Sequence, residues 1–154
     1  MTSGSVTFDA ARVALDLVGA NSYLTLATAG VGGHPWASPV WFASRGLELF
    51  VWASKPGALH SRNIVENPRV SFVVFDSSRA PGEGSAFYVS ALAARAEGAE
   101  FDEALAVYNE RSIARGLAAW KAGELTEPAR HRLYRAVPLE SFVLDDHDER
   151  LRVM

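Results

Sequence analysis

Between residues 23 and 78 the sequence alternates short runs of strand-forming residues with turn residues. Tyr23–Thr28, Pro35–Ser44 and Leu47–Ala53 are rich in β-branched and aromatic residues, and glycine-containing turns separate them. A short helix predicted at Ala58–Glu66 precedes a nearly continuous apolar run at Arg69–Asp76, which is typical of a strand buried on both faces. Short strands joined by tight turns, with few helices, predict a closed or nearly closed antiparallel barrel.

The rest of the chain adds helices and late strands to this predicted sheet. No linker or internal repeat interrupts the sequence, so residues 1–154 are expected to form a single domain. The expected elements are a first helix capped by Thr7 or Asp9 and broken at Gly19, a two-residue Arg45-Gly46 hairpin, a fifth strand at Ala86–Glu97, a long helix at Phe101–Ala122, and separate late strands at His131–Val137 and Phe142–Leu144.

Composition and charge exclude several classes of protein. The net charge of -3 and the pI near 5.8 give no basic footprint for nucleic acid. Cysteine is absent, which excludes disulfides and thiol catalysis and fits a reducing cytoplasm. The segment Met1–Asp9 does not look like a signal peptide, and no apolar run approaches the ~20 residues of a membrane span. We expect a soluble cytoplasmic protein that binds neither nucleic acid nor membrane.

Motifs for catalysis by the chain's own residues are missing. The glycines at 30–33 lead into His34-Pro35 and another strand, so they predict a hairpin turn and not a phosphate cradle. The four histidines lack the spacing of a metal site, and His147 lies in a solvated acidic turn. No Gly-x-Ser-x-Gly motif marks a nucleophile. The catalytic residues are therefore unknown, no metal is expected, and chemistry has to come from a bound cofactor.

The candidate cofactor site is a strand that contains a proline, followed by a polar loop. Pro39 interrupts an apolar run, and a proline in a strand belongs at an edge or a bulge because it lacks an N–H. The loop from Ser54 to Asn63 contains Lys55, His60 and Arg62, any of which could meet a phosphate beside the start of a helix. A strand edge for a flat ring, next to a loop for a phosphate, predicts a flavin-sized ligand.

These segments, taken in order, resemble the pyridoxamine 5'-phosphate oxidase-like family of flavin-binding proteins. The resemblance covers residues 8–98 and a closing pair of strands near the C-terminus. It rests on Tyr23–Thr28, Gly33-His34-Pro35, Ala37–Phe42, Leu49-Phe50-Val51, Ser61–Ile64, Asn67–Ser71, Leu133–Pro138 and Phe142-Val143-Leu144.

The resemblance implies a mainly β fold with flanking helices, a six-stranded antiparallel split β-barrel. It also implies a homodimer with FMN at the subunit interface and a small-molecule substrate. The residues that match the family's cofactor site are Ser38, Pro39, Val40, Trp41, Trp52, Ala53, Ser54, His60, Arg62 and Asn63.

The chain departs from the vitamin B6 oxidases of this family at three cation positions. Ala37 and Phe42 stand where those oxidases carry Arg and Lys, and His60 stands where the family's phosphate loop carries Lys. We therefore expect a member of undefined substrate, with FMN-dependent hydride transfer as the first hypothesis. The alternatives are a deazaflavin-dependent reductase, a flavin- or haem-binding protein without turnover, and an empty barrel that only dimerises.

Overall fold

The computed structural model describes residues 7–154 and shows seven strands and three α-helices. Residues 1–6, which make up most of the segment expected not to be a signal peptide, lie outside this description. In chain order the elements are α1 Ala10–Ala20, β1 Tyr23–Ala29, β2 Pro35–Arg45, β3 Leu49–Ser54, α2 Leu59–Glu66, β4 Arg69–Phe75, β5 Ala86–Arg95, α3 Ala99–Ala114, a 3-10 turn Ala122–Glu124, β6 Arg132–Leu144 and β7 Arg150–Arg152.

Six of the strands close into an antiparallel barrel. The strands follow the order β3-β2-β1-β4-β5-β6, and pairing of β3 with β6 joins the two ends of this row. Every pairing in the ring is antiparallel. The predicted mainly β, six-stranded barrel with flanking helices is confirmed, and β7 is a short addition beside the end of β6.

The barrel interior is packed with aromatic and aliphatic side chains. Phe50 is fully buried, and its ring centroid lies 4.7 Å from that of Phe72 and 6.0 Å from that of Phe42. Helix α1 contributes Ala14 and Val18 to this core, and α2 contributes Ile64. Dense packing of this kind makes the barrel the main source of stability.

Strand β3 is the strand buried on both faces. One face of β3 lines the barrel core, and the other lies under α3, where Val51 and Leu49 join a second buried cluster with Tyr108. The sequence predicted double burial for Arg69–Asp76, and this is wrong. In β4, buried and exposed residues alternate, so within residues 7–154 only the face toward the barrel core is covered.

The segment after α3 differs from its prediction. The helix ends at Ala114 and not near Ala122, and Gly116 follows with a φ of +76°, a left-handed conformation that glycine adopts without strain. Trp120 lies beyond the helix, where its backbone N–H donates to Asn109 Oδ1 at 2.7 Å and its C=O accepts from Asn109 Nδ2 at 2.9 Å. The predicted helix extended too far because apolar residues keep their helical spacing beyond Ala114, as at Leu117 and Trp120.

Three smaller predictions need correction, and one short strand was not predicted. Helix α1, capped by Asp9 as predicted, continues through Gly19 to Ala20. The β2–β3 turn holds three residues, 46–48, since Arg45 pairs with Leu49. The late strands are one strand with a register shift opposite Ser90/Ala91. The short β7 was not predicted.

Arg111 of α3 fastens the end of α1 to the barrel. Its Nη2 donates to the carbonyl oxygens of Val18 at 3.0 Å and Asn21 at 2.6 Å, and its guanidinium lies 5.0 Å above the ring of Phe42. These carbonyls lie at the C-terminus of α1, where helix carbonyls lack intrahelical partners.

No helix in the described part of the chain is long and apolar enough to cross a membrane.

Candidate functional site

The barrel is split where β2 separates from β3. Strand β2 pairs with β1 over Pro35–Trp41, but β3 pairs with it only over Phe42–Arg45. Within residues 7–154, no strand pairs with the other edge of the first half of β2. Continuing the register past the Phe42–Trp52 pair would set Ser54 opposite Val40. The split therefore lies between Ser38–Trp41 and Ala53–Ser54, which are two groups of predicted site residues.

Backbone groups of Ala37 and Pro39 point into the split. The N–H of Phe42 donates to the C=O of Ser22 at 3.2 Å, on the β1 side of the strand. Because N–H and C=O groups alternate sides along a strand, those of Ala37 and Pro39 point the other way. Pro39 has no N–H to leave unpaired there, so its place in the strand is explained. At these two residues the edge therefore offers one donor, the N–H of Ala37, and two acceptors, the C=O groups of Ala37 and Pro39.

Side chains of the predicted β2 and β3 residues take little part in the split. Val40 and Trp52 are buried in the barrel core, and Trp52 stacks on Tyr134 with ring centroids 6.2 Å apart. Trp41 packs edge-on against Tyr108 of α3 at 5.2 Å. Trp52 Nε1 has no hydrogen-bond partner among the described residues. The backbone of these residues, and the hydroxyl of Ser38, remain as possible ligand contacts.

Ser54 and His60 meet at the end of β3. His60 Nε2 lies 2.8 Å from Ser54 Oγ, and burial lowers the pKa of His60 from its usual value of 6.5. The imidazole is therefore mostly neutral at pH 7 while no anion is bound. Beside this pair, Ala58 caps α2 without a side-chain hydrogen bond, so the first N–H groups of the helix are available as donors.

Arg62 and Asn63 lie on another side of α2. They line a groove of about 390 Å³ between the helix and the β1–β2 turn. Asn63 is buried, and its Nδ2 donates to Thr28 Oγ1 at 3.1 Å, so it ties α2 to the end of β1. Lys55 is exposed in the loop. The structure thus brings Ser54 and His60 together and separates Arg62 from them.

His34 and Trp36 also line the groove with Arg62, and sequence reasoning did not place them together. Gly30 forms its floor: an added Cβ there would lie 2.6 Å from Glu66 Oε2, which also accepts the N–H of Val31 at 3.2 Å. The signal available in the sequence was the Gly-His-Pro-Trp run directly after this turn. As predicted, the glycines at 30–33 lie in the turn that joins β1 to β2. No cluster of three metal-ligating residues occurs within residues 7–154.

Comparison with known proteins decides the family. A model of the pyridoxamine 5'-phosphate oxidase family matches residues 12–140, which is most of the chain. The chain belongs to this family. The predicted family resemblance is confirmed, and no curated protein matches the chain at a significant level.

Solved structures share the fold of this family member at low identity. A haem-binding protein from Mycobacterium smegmatis is 20% identical with a TM-score of 0.72, and the match covers 97% of this chain and 60% of that one. The haem-storage protein HutZ from Vibrio cholerae is 24% identical with a TM-score of 0.64, covering 83% and 89%. A conserved hypothetical protein from Mycobacterium tuberculosis is 21% identical with a TM-score of 0.68, covering 96% and 91%.

The chain thus spans three fifths of the length of the mycobacterial haem-binding protein. The candidate site of this oxidase-family member consists of the strand edge and the Ser54–His60 pair. At the two β2 positions where the sequence departs from the vitamin B6 oxidases, Ala37 is exposed and Phe42 is fully buried.

Proposed function

We propose that the protein is a cytoplasmic, homodimeric, FMN-dependent oxidoreductase of this family, acting on a small molecule. The observation that carries the proposal is the unpaired edge of β2 at Ala37 and Pro39, which faces the Ser54–His60 loop across the split. One side offers the backbone groups that a heteroaromatic ring requires, and the other offers donors for a phosphate. When bound, the flavin supplies the hydride chemistry that the chain's own residues lack.

The chain's role in this proposal is to bind and orient. The N–H of Ala37 and the C=O groups of Ala37 and Pro39 would fix the ring edge. Ser54, His60 and the first N–H groups of α2 would hold the phosphate, and a bound dianion would favour protonation of His60. Arg62, in the separate groove, would meet a substrate anion or the phosphate only after its side chain turns.

The direct test is titration of FMN into protein freed of any ligand, read by flavin fluorescence. We expect micromolar binding, and we expect Ser54→Ala to weaken it about tenfold, since a hydrogen bond to a charged group contributes ~1.4 kcal/mol or more. Ser44→Ala, on the far half of β2, is the matched control. A folded protein that does not bind FMN would overturn the proposal. The mass of any cofactor that co-purifies with the protein distinguishes FMN from deazaflavin.

Arg62→Ala tests which cation serves the phosphate. If Arg62 turns toward the phosphate, its removal weakens FMN binding at least tenfold, or ~1.4 kcal/mol. If FMN affinity is unchanged while the Ser54 variant loses it, the phosphate belongs to the Ser54–His60 pair alone. Arg12→Ala on α1 provides the control for loss of one exposed arginine.

The proposal of a homodimer rests on exposed apolar side chains on the outer face of the barrel. There Phe75, Tyr88 and Leu92 are exposed on β4 and β5, and Tyr88 lines a shallow depression of about 370 Å³. Exposed aromatic and aliphatic side chains on one sheet face are typical of an interaction surface. Light scattering after size exclusion should give twice the chain mass of 16.6 kDa, and Tyr88→Glu should give monomers. A monomeric parent protein would exclude the dimer.

Haem binding without turnover is the second candidate function. His34 lines the same groove as Trp36 and Arg62, so the groove contains an imidazole, an aromatic ring and a cation. Imidazole is a common haem iron ligand, and arginine can pair with a propionate. Two of the structural neighbours named above are a haem-binding and a haem-storage protein. Haemin titration should then give a Soret shift that His34→Ala removes and His147→Ala retains.

A further inference from the structure

A cavity of about 350 Å³ lies at the start of α3, apart from the split and the groove. It forms where β5 passes into α3 and where the segment before β6 folds back over that junction. Its lining residues are Arg95, Ala96, Glu97, Gly98, Phe101, Leu125, Thr126, Glu127 and Arg132. Two guanidinium groups therefore share one small space with the apolar side chains of Phe101 and Leu125.

Arg132 is a buried cation with incomplete partners. The residue is 6% exposed, and its Nη1 donates to the carbonyl oxygens of Ala129 at 2.6 Å and His131 at 2.7 Å. Its Nε has no hydrogen-bond partner within residues 7–154. Burial of a charge is costly unless it is paired, so a well-placed anion would be strongly favoured here.

Glu127 is the carboxylate that reaches both arginines, and it does so loosely. Its Oε1 lies 3.6 Å from Arg132 Nη2 and 3.9 Å from Arg95 Nη2, longer than a charge-assisted hydrogen bond. The Glu127 side chain is 79% exposed, and the Glu97 side chain, 3.9 Å from Arg95, is 77% exposed. Both carboxylates can return to water at little cost, whereas Arg132 cannot.

The start of α3 adds one backbone donor beside the same cavity. Gly98 is the N-cap residue, with a φ of +59°, and the N–H groups of Glu100 and Phe101 donate to the C=O of Glu97 at 3.2 and 3.3 Å, which leaves the N–H of Ala99 in the first turn. Glu100, in the first turn, is directed elsewhere, because its Oε1 pairs with Arg135 Nη1 at 2.7 Å. An N–H group at a helix N-terminus without a carbonyl partner favours an oxyanion.

We propose that this cavity binds a small oxyanion, a carboxylate or phosphate that carries an apolar group, and that Glu127 occupies its place when the site is empty. The guanidinium groups of Arg132 and Arg95 and the N-terminus of α3 hold the oxyanion, while Phe101 and Leu125 contact the apolar group. The cavity shares no lining residue with the proposed flavin site, but the two sites adjoin, because Arg132 pairs with Ser54 in the β3–β6 ladder.

Binding is tested with benzoate and inorganic phosphate as probes and benzamide as the uncharged analogue of benzoate. The amide NMR resonances of Gly98 and Ala99 should shift when benzoate or phosphate is added, and at a given concentration the shift should be larger with benzoate. Benzamide should cause no shift. Shifts confined to the loop of Ser54 and His60, or no shift at Gly98 and Ala99, would overturn the proposal.

Charge substitutions separate this site from general attraction of anions. Removing the competing carboxylate by Glu127→Gln should tighten benzoate binding about threefold or more, while Glu83→Gln, in an exposed loop, should leave it unchanged. Arg95→Gln should weaken it by a similar factor without the folding risk of replacing buried Arg132. Equal effects of Glu127→Gln and Glu83→Gln would contradict the assignment.

Discussion

Two neighbouring strands of the barrel, β3 and the first half of β2, differ in how much of the chain covers them. Strand β3 lies between the barrel core and α3, and both of its edges are paired along part of their length. The first half of β2 has a single paired edge, and all but one of its residues from Pro35 to Pro39 are exposed. Covered strands supply stability, whereas an uncovered edge supplies binding groups at the expense of local stability.

The sharpest test of this contrast compares two aromatic truncations. Phe50→Ala removes a fully buried ring from the centre of the core, so it should lower the free energy of unfolding by about 3–5 kcal/mol. Trp36→Ala, beside the split, should cost less than about 1 kcal/mol because that side chain is 47% exposed. Urea denaturation measures both, and equal losses would contradict the division into a stable and an open region.

The substitution Arg111→Met tests how much the contacts at the end of α1 stabilise the covered region. This change removes two hydrogen bonds from a charged group to the carbonyls of Val18 and Asn21, and should cost about 1.5–3 kcal/mol. Methionine retains much of the packing over Phe42. Arg12→Met, exposed on α1, is the control and should change the unfolding midpoint little.

The substitution His60→Lys tests the uncovered region at the split through its affinity for FMN. A permanent cation beside Ser54 should tighten FMN binding about tenfold, which corresponds to ~1.4 kcal/mol, while protein stability changes little. His147→Lys adds the same charge in the exposed turn after β6 and should have no effect. Tightening by both variants would indicate general electrostatic attraction, and tightening by neither would remove His60 from the phosphate site.

The smallest expected effect is a pH dependence of stability. Burial lowers the pKa of His60, so above about pH 6.5 this residue is neutral in both the folded and unfolded states and contributes no pH dependence. As the pH falls below that value, the unfolded state takes up the proton first and stability declines. Melting temperatures at pH 7.5 and 5.5 should differ less in His60→Asn than in the parent protein. An identical difference would show that His60 does not contribute.

The barrel was predictable because its strands lie between clear turn residues. The glycines at 30–33, the Asn67-Pro68 pair and the β-branched runs marked β1, β2, β3, β4 and α2 to within one or two residues. Burial was less predictable. Arg69–Phe75 looks as apolar as a doubly buried strand, but only the position of α3 decides which strand has both faces covered, and that position depends on distant contacts.

The candidate site was predictable in its backbone and less so in its side chains. Pro39 signalled an edge, and the edge lies at the split. The sequence did not show that Trp52 points into the core, because side-chain direction in β3 depends on its register with β6. The separation of His60 and Arg62 on different sides of α2 could have been predicted, since two residues that far apart in a helix do not share a face. Arg132 was missed because nothing in its sequence context marks a buried cation.

The proline at the split also bears on the solubility of the protein. An uncovered strand edge is a template on which another extended chain can add, which leads to aggregation. Pro39 places its nitrogen, which has no hydrogen to donate, on that edge, so an incoming strand would find one bond of the ladder missing. The residue whose missing N–H shapes the proposed ring-binding edge therefore also makes that edge a poorer template for strands of other chains.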